Sequence, residues 1–126
     1  MGELKKVLYV EDEPDIRAVA ELALETVAGF EVCLCDSGSE ALQKVPIFKP
    51  DLILMDVMMP GLDGPETFRA LRGMPESRKI PVVFMTAKVQ AAEVESYRAM
   101  GAVAVIPKPF DPMALGDKVR EIWNSL

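Results

Sequence analysis

The chain has 126 residues, of which 50% are hydrophobic and 27% are charged. This is the composition of one soluble globular domain, and no apolar run approaches the roughly 20 residues that a membrane span needs. The net charge of −6 argues against a nucleic-acid-binding surface and fits a domain that meets other proteins and cations.

The sequence shows neither a signal peptide nor a boundary between domains. The first six residues lead into a strand rather than into the apolar core of a signal peptide, so we expect a cytoplasmic protein. No repeat or linker interrupts the sequence, and residues 1–126 are predicted to form a single domain. Cys33 and Cys35 lack the further ligands of a zinc site, and we interpret them as packing residues of a strand.

Strands and helices alternate along the first half of the chain. A strand is predicted over residues 6–10, a more exposed one over 30–35, and one buried on both faces over 52–55. A helix between the first two strands is predicted from an apolar stripe: Ile16, Val19, Ala20, Ala23, Leu24 and Val27. Ser37 and Glu40 have the spacing of a capping box before a helix over residues 38–45.

The second half continues the alternation. Asp63 and Glu66, with Pro65 in the first turn, predict the start of the next helix. A strand over residues 80–85, a helix over 89–100 and a strand over 103–106 follow. Asp111 and Pro112 open a last helix, which is predicted to bury one face: Leu115, Val119, Ile122 and Trp123.

Five short strands alternating with five helices imply right-handed crossovers and a parallel sheet that is covered on both sides. The near-continuous apolar character of the strands agrees with burial on both faces. The fold class predicted is therefore α/β, a three-layer sandwich around a five-stranded parallel sheet.

Polar residues follow four of the five strands where each strand ends. Glu11 and Asp12 follow the first strand, Asp56 ends the third, Thr86 follows the fourth and Lys108 follows the fifth. In a parallel sheet these ends share one edge, where open α/β sheets place their ligand sites. Three carboxylates brought together repel one another unless a hard divalent cation joins them, and oxygen ligands favour Mg²⁺.

Each of these residues also has an ordinary structural interpretation. Asp12 could cap the first helix, Asp56 could cap the segment after it, Thr86 could cap the helix near residue 89, and Lys108 could end a strand in solvent. We prefer the shared site because all four segments bring polar groups to the same edge.

The sequence resembles the response-regulator receiver domains of bacterial two-component systems over nearly all of its length. The segments that carry the resemblance are residues 7–15 (VLYVEDEPD), residues 51–64 (DLILMDVMMPGLDG), residues 85–87 (MTA), and Gly101-Ala102 through Lys108-Pro109-Phe110. The second of these is the most specific. The resemblance implies the flavodoxin-like strand order 2-1-3-4-5.

The resemblance also implies roles for the polar residues. Asp56 would accept a phosphoryl group from a histidine kinase or a histidine phosphotransfer protein. Glu11, Asp12, Asp56 and the backbone carbonyl of Met58 would hold Mg²⁺, with Glu11 acting through water. Lys108 would pair with the phosphoryl oxygens and Thr86 would move its hydroxyl toward them.

Smaller features are implied by the same resemblance. Ala87 would leave room for the phosphoryl group, and the Lys108–Pro109 bond would be cis. Relatives usually carry a switching aromatic residue where this chain has Val105, and two acids where it has Val103 and Ala104. An aromatic rotamer switch is therefore not expected here.

Other functions remain open at this point. An aspartyl-phosphatase enzyme would need a second acid at the position of Met58, and a flavin-binding module would meet repulsion from Glu11 and Asp12. A receiver-like domain that signals without phosphate would not need the acid, Thr and Lys set. The resemblance favours a signalling phosphoacceptor rather than an enzyme, with an unknown output protein and either a monomer or a phosphorylation-dependent dimer.

Overall fold

The computed structural model describes residues 2–126. The strands are β1 (Lys6–Val10), β2 (Glu31–Cys35), β3 (Leu52–Asp56), β4 (Val82–Thr86) and β5 (Ala104–Pro107). The helices are α1 (Pro14–Glu21), α2 (Gly38–Phe48), α3 (Gly64–Arg72), α4 (Ala91–Met100) and α5 (Leu115–Asn124). All neighbouring strands pair in parallel, in the order β2-β1-β3-β4-β5. The predicted fold class and strand order are confirmed.

The sheet separates two hydrophobic cores, and this gives the three layers. The first core lies under α1 and α5, where Ala20, Leu24, Leu115 and Val119 meet the sheet. The second core lies under α2, α3 and α4, and it includes Ala41, Val45, Phe68 and Leu71. Strands β1, β3 and β4 are buried almost throughout because helices cover both of their faces. Among residues 2–126, no helix combines the length and the apolar character needed to cross a membrane.

The first helix differs from its predicted form. It continues beyond α1 as a π-helical segment, Leu22–Val27, in which the amide of Ala28 bonds to the carbonyl of Ala23. This wider turn rotates the later residues away from a stripe drawn at α-helical spacing. Ala20, Ala23 and Leu24 are buried as predicted, whereas Val27 is exposed after this turn. Val19, which precedes the π-helical segment, is also exposed and lines an open cleft beside Phe110. The assignment of Val19 and Val27 to the core was wrong.

The helix start predicted at Asp63 and the capping box predicted at Ser37 differ in the bonds that form. At α3 both bonds form: the amide of Glu66 donates to Asp63 Oδ1 and the amide of Asp63 donates to Glu66 Oε1. At α2 the Ser37 hydroxyl accepts the amide of Glu40, but the Glu40 carboxylate accepts the amide of Asp36 instead of that of Ser37. The Glu40 carboxylate therefore bonds to the residue before the N-cap, and only one of the two hydrogen bonds of the predicted capping box forms.

Several boundaries also move by a few residues. β4 begins after Pro81 and includes Thr86, and β5 runs one residue later than predicted. α2 continues to Phe48 despite Pro46, and α4 begins at Ala91. The chain makes a turn before α5, so this helix begins at Leu115 rather than at Pro112. Cys35 is buried and Cys33 partly buried, both as free thiols, in agreement with a packing role.

Candidate functional site

The rows of the sheet determine which side chains meet at its carboxyl edge. Side chains alternate along a strand, so Glu11 continues the row of Tyr9, Asp56 that of Leu54, and Lys108 that of Ile106. Those three apolar residues all belong to the first core. Tyr9 pairs in register with Leu54, which brings the next members of the two rows beside each other. The site therefore lies at the end of the first core, next to α1.

The Lys108 ammonium lies between two of the carboxylates. Its Nζ is 2.8 Å from Glu11 Oε1 and 3.0 Å from Asp56 Oδ1. One carboxylate oxygen from each of Glu11, Asp12 and Asp56 lies within 4.8 Å of the others. Glu11 is 1% exposed and Asp56 5% exposed, while Asp12 is half-buried. The interpretation of Lys108 as a solvent-exposed strand end is wrong.

Burial and charge shift the pKa values of this group in different directions. Burial raises the pKa of Glu11, and the negative charge of Asp56 raises it further against the opposing effects of Lys108 and the Glu13 amide. Burial acts to lower the pKa of Lys108, but its bonds to Glu11 and Asp56 outweigh this and raise the pKa above its usual value. Lys108 therefore remains a cation in the site.

The remaining predicted residues border the same opening. An open cleft of about 220 Å³ is lined by Asp12, Glu13, Asp56, Met58, Thr86, Ala87, Lys88 and Lys108. The Thr86 hydroxyl accepts the amide of Lys88 at 3.1 Å, and the Thr86 carbonyl accepts the amide of Lys108 at 2.9 Å. Thr86 therefore does not cap α4, whose N-cap residue is Gln90. Asp12 does not cap α1 either, since that position is taken by Glu13.

The loop after Asp56 returns closely against the end of β3. The amide of Gly64 donates to the Val57 carbonyl at 2.9 Å. A Cβ atom at position 64 would lie 2.6 Å from the Asp56 carbonyl oxygen, so only glycine fits without displacing backbone. Met59 is buried in the second core, whereas the Met58 side chain is 71% exposed. The loop is thus anchored on both sides of Met58.

The donor atoms of the site fit a hard divalent cation. Three carboxylates supply oxygen ligands, and no thiol or imidazole takes part. Mg²⁺ prefers a few carboxylates together with water, and the open cleft leaves room for water. The arrangement suits phosphoryl transfer, which requires positioning and charge neutralisation around a nucleophile.

Three residues near the site did not emerge from the sequence. Arg17 donates to the backbone carbonyls of Glu11 and Asp12. Gly64 permits the close return of the loop after Asp56. Tyr9 is fully buried beneath Glu11, and burial, followed by the charges of Glu11 and Asp56, raises the pKa of its phenol. Only Arg17 had a usable signal, since helical side chains lean toward the helix N-terminus and can reach the preceding loop.

Most of the chain is similar to known receiver domains. The family described as "Response regulator receiver domain" matches residues 7–120. The alkaline phosphatase synthesis transcriptional regulatory protein PhoP of Bacillus subtilis is 36% identical over 118 residues, which cover 94% of this chain and 48% of that protein. The chain thus spans about half the length of the curated relatives it matches.

Solved structures agree with this similarity. The chemotaxis protein CheY4 of Vibrio cholerae superposes with a TM-score of 0.87 at 31% identity, over 94% of this chain and 98% of that one. The N-terminal domain of a response regulator receiver protein from Methanoculleus marisnigri superposes with a TM-score of 0.76 at 32% identity, over 94% and 96% of the two chains. With its sheet order, its carboxyl-edge acids and these matches, the chain belongs to the response regulator receiver domain family of two-component systems.

Proposed function

We propose that Asp56 accepts a phosphoryl group from the phosphohistidine of a histidine kinase or histidine phosphotransfer protein, with Mg²⁺ bound beside it. The observation that carries the proposal is the Asp56 carboxylate itself, which borders an open cleft, belongs to a three-acid group and lies 3.0 Å from the Lys108 ammonium. Glu11, Asp12, Asp56 and the Met58 backbone carbonyl would hold the ion, with Glu11 acting through water.

In the proposed transfer an Asp56 carboxylate oxygen forms a bond to phosphorus as the phosphorus–nitrogen bond of the donor breaks. The electron pair returns to the imidazole ring, which takes up one proton from solvent and leaves neutral. Bound Mg²⁺ supplies positive charge that offsets the carboxylates and the phosphoryl oxygens. Lys108 is already oriented by Glu11 at 2.8 Å, so its ammonium can leave Asp56 and pair with a phosphoryl oxygen.

The proposed output begins at Thr86. Its hydroxyl now accepts the amide of Lys88, and the same hydroxyl can donate to a phosphoryl oxygen when it turns toward Asp56. That movement changes the loop that leads into α4. We infer that the surface formed by α4, β5 and α5 then binds an output protein or a second copy of the chain. With Val105 on β5, the change is one of backbone and loop rather than of an aromatic ring.

In this proposal residues 1–126 form one receiver domain that acts as a signalling phosphoacceptor rather than as a turnover enzyme. It works as a monomer or as a phosphorylation-dependent dimer, and it does not itself bind nucleic acid. The net charge of −6 supports protein and cation partners.

The acceptor assignment is tested by intact-mass measurement after incubation with acetyl phosphate and MgCl₂. We expect the wild-type protein to gain one phosphoryl group, to gain none in EDTA, and Asp56→Asn to gain none. Asp117→Asn is the matched control, because Asp117 is an exposed carboxylate on α5. If Asp56→Asn is labelled to the same extent as wild type, or if EDTA does not reduce labelling of the wild type, the assignment is contradicted.

The output surface is tested separately with beryllofluoride, a phosphoryl mimic, and MgCl₂. Amide chemical shifts should change across residues 89–110 as well as in the loops that carry Asp12, Asp56 and Thr86. Changes confined to those three loops would overturn the proposed output and leave the acceptor assignment standing.

A further inference from the structure

Arg17 connects the first helix to the loop that carries two of the acids. Its Nη1 donates to the backbone carbonyl of Glu11 at 2.8 Å and to that of Asp12 at 3.0 Å. The side chain is half-buried, and its position on α1 lets it reach back over the helix N-terminus. One guanidinium nitrogen therefore joins two consecutive peptide units of the loop.

Few other contacts fix this loop. The N-cap residue of α1, Glu13, makes no side-chain capping bond. Its carbonyl accepts the amide of Arg17 at 3.0 Å within the helix, and its amide donates to Glu11 Oε2 at 3.2 Å, a carboxylate that belongs to the site. Glu11 is also anchored by its own amide, which donates to the Cys35 carbonyl at 3.0 Å. Asp12 has no comparable anchor among the described contacts, which leaves Arg17 as the group that fixes its peptide.

We propose that Arg17 is a positioning residue for Mg²⁺ binding, because it holds the peptides of Glu11 and Asp12 so that both carboxylates face Asp56. This inference rests on the proposed function, in which those carboxylates hold the ion. Arg17 contacts neither carboxylate, so it acts on the ion only through the loop. Groups that orient metal ligands in this way commonly change affinity 10- to 100-fold when removed.

The charge of Arg17 and its hydrogen bonds have opposite effects on Mg²⁺ affinity. A guanidinium near three carboxylates repels a divalent cation, so removal of its charge alone should tighten binding. Loss of the two hydrogen bonds from Arg17 to the backbone carbonyls frees the loop. Ion binding must then order Glu11 and Asp12, and the conformational entropy lost in that step weakens binding. The sign of the change therefore separates positioning from electrostatics.

The experiment is a titration of the ¹⁵N-labelled full chain with MgCl₂, with the dissociation constant read from amide shifts around Asp12 and Asp56. Arg17→Ala is expected to weaken Mg²⁺ binding about 10-fold. Arg17→Lys, which keeps the charge and one donor group, should lie between Arg17→Ala and the wild type. Arg78→Ala is the matched control, because Arg78 is exposed in the α3–β4 loop at the opposite edge of the sheet.

A second measurement separates positioning from a general loss of structure. At saturating MgCl₂ the rate of labelling by acetyl phosphate in Arg17→Ala should return to within about two-fold of wild type, because the bound ion then orders the loop. Circular dichroism checks that each variant is folded. If Arg17→Ala does not fold, the weaker binding expected of Arg17→Lys decides the question.

The outcomes are distinct. Unchanged or tighter Mg²⁺ binding in folded Arg17→Ala, or in folded Arg17→Lys where the first variant does not fold, overturns the positioning role and leaves the phosphoacceptor proposal intact. If the wild type binds no Mg²⁺, or if Asp12→Asn binds it as tightly as wild type, the metal site of the proposed function fails instead. Weaker binding by the Arg17 variants with wild-type affinity in Arg78→Ala supports the inference.

Discussion

Helices α3 and α4 both follow strands that end at the site, yet they are held very differently. α3 begins with a complete capping box and buries Thr67, Phe68 and Leu71. α4 begins at Gln90 without a side-chain cap and contains no fully buried residue. Its contacts with the second core come from the partly buried Tyr97 and Met100.

This contrast indicates that the two segments beside Asp56 differ in local stability. The β3–α3 side holds Asp56, the proposed acceptor, in place, because burial and capping both stabilise α3. The β4–α4 side carries Thr86 and a weakly anchored helix, and elements that move in switching come from the less stable parts of a fold. In the proposed function, the same edge of the sheet thus combines a firmly held Asp56 with a weakly anchored α4.

The largest effect should appear in native-state hydrogen exchange. We expect the free energy of opening for α4 amides to lie about 3 kcal/mol or more below that for α3 amides, because α4 buries so little side-chain surface. Val94 and Thr67 offer matched amides, each of which bonds to the carbonyl of its helix N-cap residue. Equal opening free energies for the two helices would remove the basis of the comparison.

Lys108 contacts both the β3–α3 and the β4–α4 side. Its amide donates to the Thr86 carbonyl, and its ammonium pairs with Asp56 and Glu11. On the sequence alone, Lys108→Ala should change stability by no more than about 1 kcal/mol. The structure revises this, because the substitution leaves two buried carboxylates without their cation. We expect a loss of about 3 kcal/mol in EDTA and a smaller one in MgCl₂, measured by urea unfolding. A loss that is the same in both buffers would count against a shared charge site.

A substitution at Gly64 tests how closely the β3–α3 loop packs against the end of β3. Gly64→Ala should raise helix propensity, yet we expect it to destabilise the protein by about 2 kcal/mol because the new Cβ meets the Asp56 carbonyl at 2.6 Å. It should also slow labelling of Asp56 by acetyl phosphate. Gly73→Ala, at the C-cap of the same helix, is the matched control, because its Cβ would lie 3.4 Å from the Ala70 carbonyl oxygen, an ordinary van der Waals distance. Similar stabilities for the two variants would show that the loop can move freely.

A pair of cap substitutions compares the two helix starts directly. Asp63→Ala removes the side-chain bond to the Glu66 amide and should cost about 1 kcal/mol. Gln90→Ala removes no capping bond and should leave stability within about 0.5 kcal/mol of wild type. Both values come from urea unfolding under the same conditions. A larger cost for Gln90→Ala would mean that α4 is capped in solution.

Much of the fold and the grouping of the site followed from local patterns. Continuous apolar strands alternating with helical stripes leave few arrangements besides a covered parallel sheet, and the shared edge follows from parallel pairing. For this reason the sequence could bring Glu11, Asp56 and Lys108 together although they lie far apart along the chain. The cap at Asp63 was equally local, since both partners lie within one turn.

The features that sequence reasoning missed depend on tertiary geometry. The π-helical segment at Leu22–Val27 changes the helical period, so a stripe at fixed spacing placed Val27 in the core. The Glu40 carboxylate selected the amide of Asp36 over that of Ser37, which spacing alone does not distinguish. The position of Arg17 on α1 indicates that its side chain can reach the preceding loop, but the two carbonyl groups that accept its hydrogen bonds depend on the path of the backbone.

The smallest effect expected is at Trp123, which lies at the other edge of the sheet. Its indole Nε1 donates to the carbonyl of Gly2 at 2.9 Å, and it lines a cleft with Pro50, Asp51 and Pro81, which precede β3 and β4. Strands of five residues separate this cleft from Asp56, a distance of about 15 Å. Mg²⁺ alone should therefore leave tryptophan emission unchanged within error, even at concentrations that saturate the amide shifts near Asp12. A large change in emission would mean that ion binding affects the opposite edge of the sheet, and the proposed conformational change could then no longer be confined to the β4–α4 side.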